Sequence, residues 1–167
     1  NSTTSINQVY DPCDTAKAFY IHQAGIVGAQ YVTAMSGSAP SNLTFRYPYS
    51  DSGSNNYNGS YISIKSSSYY SWDVILHEYG HFIQDIYNIE DNPGGRHYID
   101  DNAIDTYYNN GDSLSSAKDK GTRLAWGEGW ATYFSISAQV QQSVSSMSIP
   151  GSGDSSYDNL TNGWSRS

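Results

Sequence analysis

Apolar and polar positions follow two periods along this chain. In residues 14–35, Ala16, Phe19, Tyr20, Gln23 and Val27 recur near helical spacing, the pattern of a helix that buries one face. Asp14 or Thr15 stands where an N-terminal cap belongs. Gly25 and Gly28 fall inside this helix. Each costs roughly 1 kcal/mol against Ala, a cost offset where a neighbouring element approaches closely. Residues 36–41, with Gly37 and Pro40, read as a loop. The period then shortens. Residues 43–47 (LTFRY) and 61–65 (YISIK) alternate as short strands, and the Asp-, Ser-, Gly- and Asn-rich stretch 50–60 between them reads as a loop.

Helical spacing returns after Ser71, a plausible cap, and runs to about Asn88 with Ile75, Tyr79, Phe82, Ile83 and Ile86 on one face. Residues 91–95 (DNPGG) break the chain. Residues 96–120 read as polar and irregular, with a helical turn near 101–108, and a last helix covers about 123–143. The Ser/Gly-rich tail from Ser145 shows no regular pattern. The order helix, strands, helix, long loop, helix predicts an α+β domain rather than alternating βαβ units. No internal repeat or linker divides the 167 residues, so one domain is expected, with an N-terminal lobe of about 1–88 and a C-terminal lobe of about 89–167.

Composition narrows the function classes. The mean hydropathy is −0.60 and only 14% of residues are charged, so the polarity comes from Ser, Asn, Gly and the 16 tyrosines. That suits an extracellular protein. The net charge of −8 argues against nucleic acid as a partner, because phosphate backbones are met by basic faces. No apolar run is long enough to span a membrane. Asn1 is not a natural start residue, so the chain reads as a mature or trimmed piece of a longer precursor, its signal peptide absent from this sequence. The single cysteine, Cys13, forms no internal disulfide and reads as a small buried hydrophobe. Asn-x-Ser/Thr sequons at Asn1, Asn42, Asn58 and Asn159 are expected by chance in so Ser- and Asn-rich a chain.

The chemistry concentrates in His77-Glu78-Tyr79-Gly80-His81. On a helix, residues four apart share a face, so His77 and His81 can offer imidazole nitrogens to one metal ion. Glu78 is turned about 100° from His77, where a base for the activated water belongs. With 4 His and 3 Glu in the chain, H-E-x-x-H arises by chance roughly once in 600 such sequences. A mid-helix Gly80 implies a close neighbour. A catalytic zinc needs a third protein ligand. No histidine follows at H-x-x-G-x-x-H spacing, since Gln84 and Tyr87 stand there. Of the remaining glutamates, Glu90 lies just past the helix, whereas Glu128 sits in Trp126-Gly127-Glu128-Gly129-Trp130-Ala131 on the last helix. A crossing of the two helices would bring Glu128 to the metal.

HEYGH followed by GEGWA resembles the motifs of the gluzincin metallopeptidases, the thermolysin- and fungalysin-like enzymes in particular. The resemblance extends over residues 14–143, but its specific part is these two motifs. It implies a zincin-like fold: a backing helix, a small mainly antiparallel sheet, an active-site helix and a glutamate helix. It further implies one catalytic Zn2+ on His77, His81 and Glu128, with Glu78 as general base in the hydrolysis of peptide or protein substrates, most simply as an endopeptidase. A Tyr or His usually assists the oxyanion in such enzymes; His97, Tyr98, Tyr107 and Tyr133 are the candidates. An uncovered edge strand usually carries the substrate. Here Tyr61, Ile62, Ser63 and Ile64, directly before the active-site helix, take that role.

The sequence departs from the thermolysin pattern in two ways. Thr132 replaces the Asp expected four residues after the glutamate ligand, and only 39 residues follow Glu128. Asp100, Asp101, Asn102 and Asp105 form an acidic patch that would suit Ca2+ only outside the EF-hand pattern; the simpler reading is a solvated face. The alternative to an enzyme is an adhesion or binding module on an inactive zinc-peptidase scaffold. The intact Glu78 favours the enzyme, and the open position left by three ligands argues against a purely structural zinc.

Overall fold

The computed structural model describes residues 12–49, 53–89, 91–94 and 102–143, with side chains from Ala16 onward. The Cys13, Asp14 and Thr15 side chains, Glu90, His97, Tyr98, Asp100, Asp101 and the tail from Ser145 lie outside it. The elements run α1 (Pro12–Ser36), β1 (Thr44–Tyr49), β2 (Asn56–Tyr57), β3 (Tyr61–Lys65), a 3-10 turn (Ser66–Ser68), α2 (Trp72–Ile86), α3 (Ala103–Asn109) and α4 (Leu114–Gln141). This is the α+β arrangement expected from the sequence.

The inward face of α1 is carried by Ile21, Ala24, Val27 and Val32 rather than by the face read from the sequence, of which Val27 alone is buried and Phe19 is 61% exposed; it joins Ile75, Leu76, Tyr79, Phe82 and Ile83 of α2 and Phe134 and Ala138 of α4 in one core. Aromatic rings knit the three helices. Phe134 stacks on Tyr79 at 5.9 Å between ring centres and meets Tyr31 edge-on at 5.3 Å, offset and T-shaped geometries that the ring quadrupoles favour. The α1 glycines lie against neighbouring elements: a Cβ on Gly28 would stand 3.0 Å from the Tyr79 ring, and one on Gly25 2.9 Å from Phe45. Ile86, placed on the buried face by its spacing, is 39% exposed, at the end of α2.

Three elements differ from the sequence expectation. The sheet is mixed rather than mainly antiparallel. Its order is β1-β3-β2; β1 runs parallel to β3 with Thr44 opposite Tyr61, and only the short β2 is antiparallel. The second difference is β2 itself, inside the stretch read as a loop. The Asn58 side chain accepts the amides of Ser60 and Tyr61, both at 3.1 Å, and Gly59 takes a positive φ of 86°. The turn closes between Asn58 and Tyr61, with Gly59 at the first of its two central positions, where hairpins favour glycine, and it folds β2 back onto β3. Finally, α4 begins at Leu114, nine residues before the expected start. Ser113 caps it by accepting the Ser116 amide at 3.3 Å, and the small buried residues Ala117 and Gly121 let α3 pack against it.

Candidate metal centre

Two helices build the site. α2 carries His77, Glu78 and His81; α4 carries Glu128. Their separation is set by Gly80, whose missing side chain admits Ala131: a Cβ there would stand 2.9 Å from the Ala131 Cα. Any larger residue would push the helices apart. Gly80 lies between the two histidines, and Ala131 is nearly one turn beyond Glu128, so this contact fixes how near the carboxylate comes to the imidazoles.

The result is a tight group of donors. His77 Nε2 lies 3.0 Å from Glu128 Oε2, His81 Nε2 lies 3.2 Å from His77 Nε2, and His81 Nε2 lies 3.4 Å from Glu128 Oε1. Ligands held at about 2.0–2.2 Å by a tetrahedral zinc stand about 3.3–3.6 Å apart, so the triad has nearly the spacing zinc requires. Two imidazole nitrogens facing each other beside a carboxylate are a sensible arrangement around a cation. Among the described residues, these three are the group able to hold a metal. Their side chains are 21%, 12% and 30% exposed, leaving the site open on one side to a cavity of about 700 Å³.

Each histidine is anchored through its other nitrogen. His77 Nδ1 meets Thr132 Oγ1 at 3.2 Å, so the residue replacing the expected aspartate still makes the contact, without a charge. His81 Nδ1 meets Gln84 Oε1 at 3.0 Å. Glu78 stands on the same cavity wall as the triad, and its Oε2 accepts the backbone amide of Tyr57 in β2 at 2.8 Å. The Tyr57 hydroxyl donates to Asp85 at 2.6 Å, and its ring meets Phe82 edge-on. β2 is thereby pinned along the helix that bears the general-base candidate.

β3 does not have the uncovered edge expected of Tyr61, Ile62, Ser63 and Ile64. It is the central strand, flanked by β1 and β2, and Ile62, Ser63 and Ile64 are buried. The strand edge facing the site belongs to β2, as the Tyr57–Glu78 hydrogen bond shows. Of the described oxyanion candidates, Tyr107 donates its hydroxyl to the Gly94 carbonyl at 2.6 Å, and Tyr133 is exposed on α4. Neither lines the cavity, whereas Tyr49 and Tyr57 do. In the acidic patch, Asn102 caps α3, accepting the Ile104 amide at 3.0 Å and the Asp105 amide at 3.3 Å.

A family model for Peptidase_M43, described as pregnancy-associated plasma protein-A, matches residues 4–141. The chain belongs to the Peptidase_M43 family. It is accordingly a metallopeptidase, in a family that uses zinc and acts on peptide or protein substrates. The match covers every described helix and strand of this Peptidase_M43 domain, the metal-capable triad included. No curated relative and no solved structure matches the chain. No described helix is long and apolar enough to cross a membrane.

Proposed function

We propose that this chain is a zinc endopeptidase of gluzincin type, with His77 Nε2, His81 Nε2 and the Glu128 carboxylate as metal ligands and Glu78 as general base. One observation supports the reading: two imidazole nitrogens and a carboxylate from two crossing helices converge, one ligand atom from each of the three residues lying within 4.8 Å of the others, with Glu78 on the wall of the same cavity. Zinc held there would supply Lewis acidity, making a bound water far more acidic and polarising the scissile carbonyl.

The protein's own groups do the rest. Glu78 takes a proton from the attacking water and returns one to the departing amine. The Tyr57 amide holds one oxygen of its carboxylate, which restricts rotation and leaves the other oxygen for the proton. Peptide lies extended in the cavity beside β2, where main-chain hydrogen bonds position the scissile carbonyl with little dependence on side chains; the outward amide of Tyr57 is reserved for Glu78. Of the two tyrosines on the cavity wall, Tyr57 gives its hydroxyl to Asp85, which makes Tyr49 the candidate to assist the oxyanion. The charge-poor, Ser- and Asn-rich composition supports an extracellular working place.

Glu78→Gln tests the assignment. The amide keeps the shape but accepts no proton, so hydrolysis of a peptide library should fall by about 10²- to 10⁴-fold. Bound zinc and melting temperature should stay near wild type. Retention of most activity would assign the base to another residue.

A further inference from the structure

Gln84 is a fully enclosed polar side chain, 0% exposed, on α2 one turn past His81. Its Nε2 donates to the Gly127 carbonyl of α4 at 3.2 Å, and its Oε1 lies 3.0 Å from His81 Nδ1. A backbone carbonyl only accepts, so the amide must turn its NH2 toward Gly127. Its oxygen then faces His81, and an amide oxygen also only accepts. His81 must therefore carry its proton on Nδ1. That leaves the Nε2 lone pair directed at His77 Nε2 and Glu128 Oε1, at 3.2 and 3.4 Å. Donor and acceptor roles permit one solution. Thr132 imposes none on His77, because a hydroxyl both donates and accepts.

The same side chain has a second consequence. Gly127 immediately precedes Glu128, so Gln84 ties the backbone bearing the carboxylate ligand to the helix bearing both histidines. The bond lies in the interior, away from competing water, where a lost partner costs more than at the surface.

We propose that Gln84 is a positioning residue of the metal centre: it selects the His81 tautomer that presents Nε2 to zinc and, at the helix spacing that the Gly80–Ala131 contact allows, tethers the backbone beside Glu128 to the helix bearing the histidines. The proposal rests on His81 and Glu128 being ligands, as argued above.

The test compares zinc affinities of the full chain by competition against a chelator of known affinity. Gln84→Met conserves volume while removing both hydrogen bonds, and it should raise the zinc Kd by about 10- to 100-fold, the usual effect of losing a group that orients a metal ligand. Ile83→Val, a core change on the same helix, separates positioning from general loosening: it should lower the melting temperature and leave the zinc Kd within twofold. Thr132→Val should cost less affinity than Gln84→Met. A folded Gln84→Met protein with wild-type zinc affinity would overturn the proposal while leaving the ligand assignment intact. Wild-type protein that binds no zinc would overturn both.

Should Gln84→Met fail to fold, nitrogen-15 histidine spectra of zinc-loaded wild type decide the matter. A slowly exchanging proton on His81 Nδ1, with coordination through Nε2, supports the proposal. Coordination through Nδ1, or an Nδ1 proton that exchanges as freely as an exposed one, contradicts it.

Discussion

The two halves of α4 are held by different physics. Residues 114–124 pack against α3 around a small cluster of Tyr107, Ala117 and Leu124. Polar contacts supply much of the rest: Asp112 pairs with Lys120 at 2.9 Å and accepts the Ser116 hydroxyl, and Arg123 meets Asp91 at 2.9 Å and Asp119 at 3.3 Å. Residues 127–139 instead enter the main core. Ala131, Phe134 and Ala138 are buried there, and Ser135 and Gln139 hydrogen-bond to Asp73 at 2.9 and 2.6 Å. Glu128 falls just inside the second half. The metal ligand thus sits on the part of the helix that cannot move without breaking the core, as a preorganised site requires.

Truncating each half's anchor should separate them. Phe134→Ala opens a cavity where α1, α2 and α4 meet, and should cost about 3–5 kcal/mol together with much of the zinc affinity. Leu124→Ala should cost about 2–3 kcal/mol, because the smaller cluster relaxes more readily around the loss. Its zinc affinity should stay near wild type. Chemical denaturation beside a zinc titration checks both, and equal zinc losses would mean that the halves are not independent. Gly80→Ala sharpens the comparison at the crossing itself. Overpacking there should cost about 1–3 kcal/mol, and the zinc Kd should rise well beyond that of Leu124→Ala.

The packing around the two halves should also respond to pH, on the alkaline side in both and on the acid side through Asp112. Burial, with a smaller contribution from Tyr87, pushes the Tyr79 phenol well above its ordinary value. A raised folded pKa gives stability that is complete below the unfolded value of about 10 and lost as pH rises beyond it. Alkaline conditions should therefore weaken the main core, and Tyr79→Phe should flatten that limb of the stability curve; burial raises the Tyr107 phenol too, so the smaller cluster adds to the same limb. Asp112 is the reverse. The hydrogen bond from Lys120, helped by Ser116, holds its carboxyl below its ordinary value. Its contribution is present above the unfolded pKa of about 3.9 and fades as pH falls through the folded one. The effect should be the smallest of these, since the pair is solvent-screened. Asp112→Asn should remove a slight acid-side slope in melting temperature and leave zinc binding alone.

Much of this was legible in the sequence where one helix face carries the signal. The i, i+4 histidines and the apolar run of α2 specify an amphipathic helix and a metal-facing edge. Gly80 announces a close neighbour, and the GEGW motif points to Glu128. What escaped depends on contacts distant in sequence. β2 has two residues and no alternation of its own; only the Asn58-Gly59 turn signals it, and Tyr57 gains its place from Glu78, Asp85 and Phe82. Missing β2 made β3 look like an edge. The first turns of α4 escaped because their buried positions are small, Ala117 and Gly121, and leave no apolar stripe to read. Gln84 reads as a polar interruption until Gly127 is beside it.

The zinc-loaded crystal structure tests the account most directly. It should hold one ion bound by His77 Nε2, His81 Nε2 and a Glu128 oxygen, each at about 2.0–2.2 Å, with the fourth position open to the cavity beside Glu78. An ion bound elsewhere, or one with Glu128 several ångströms away, would contradict it.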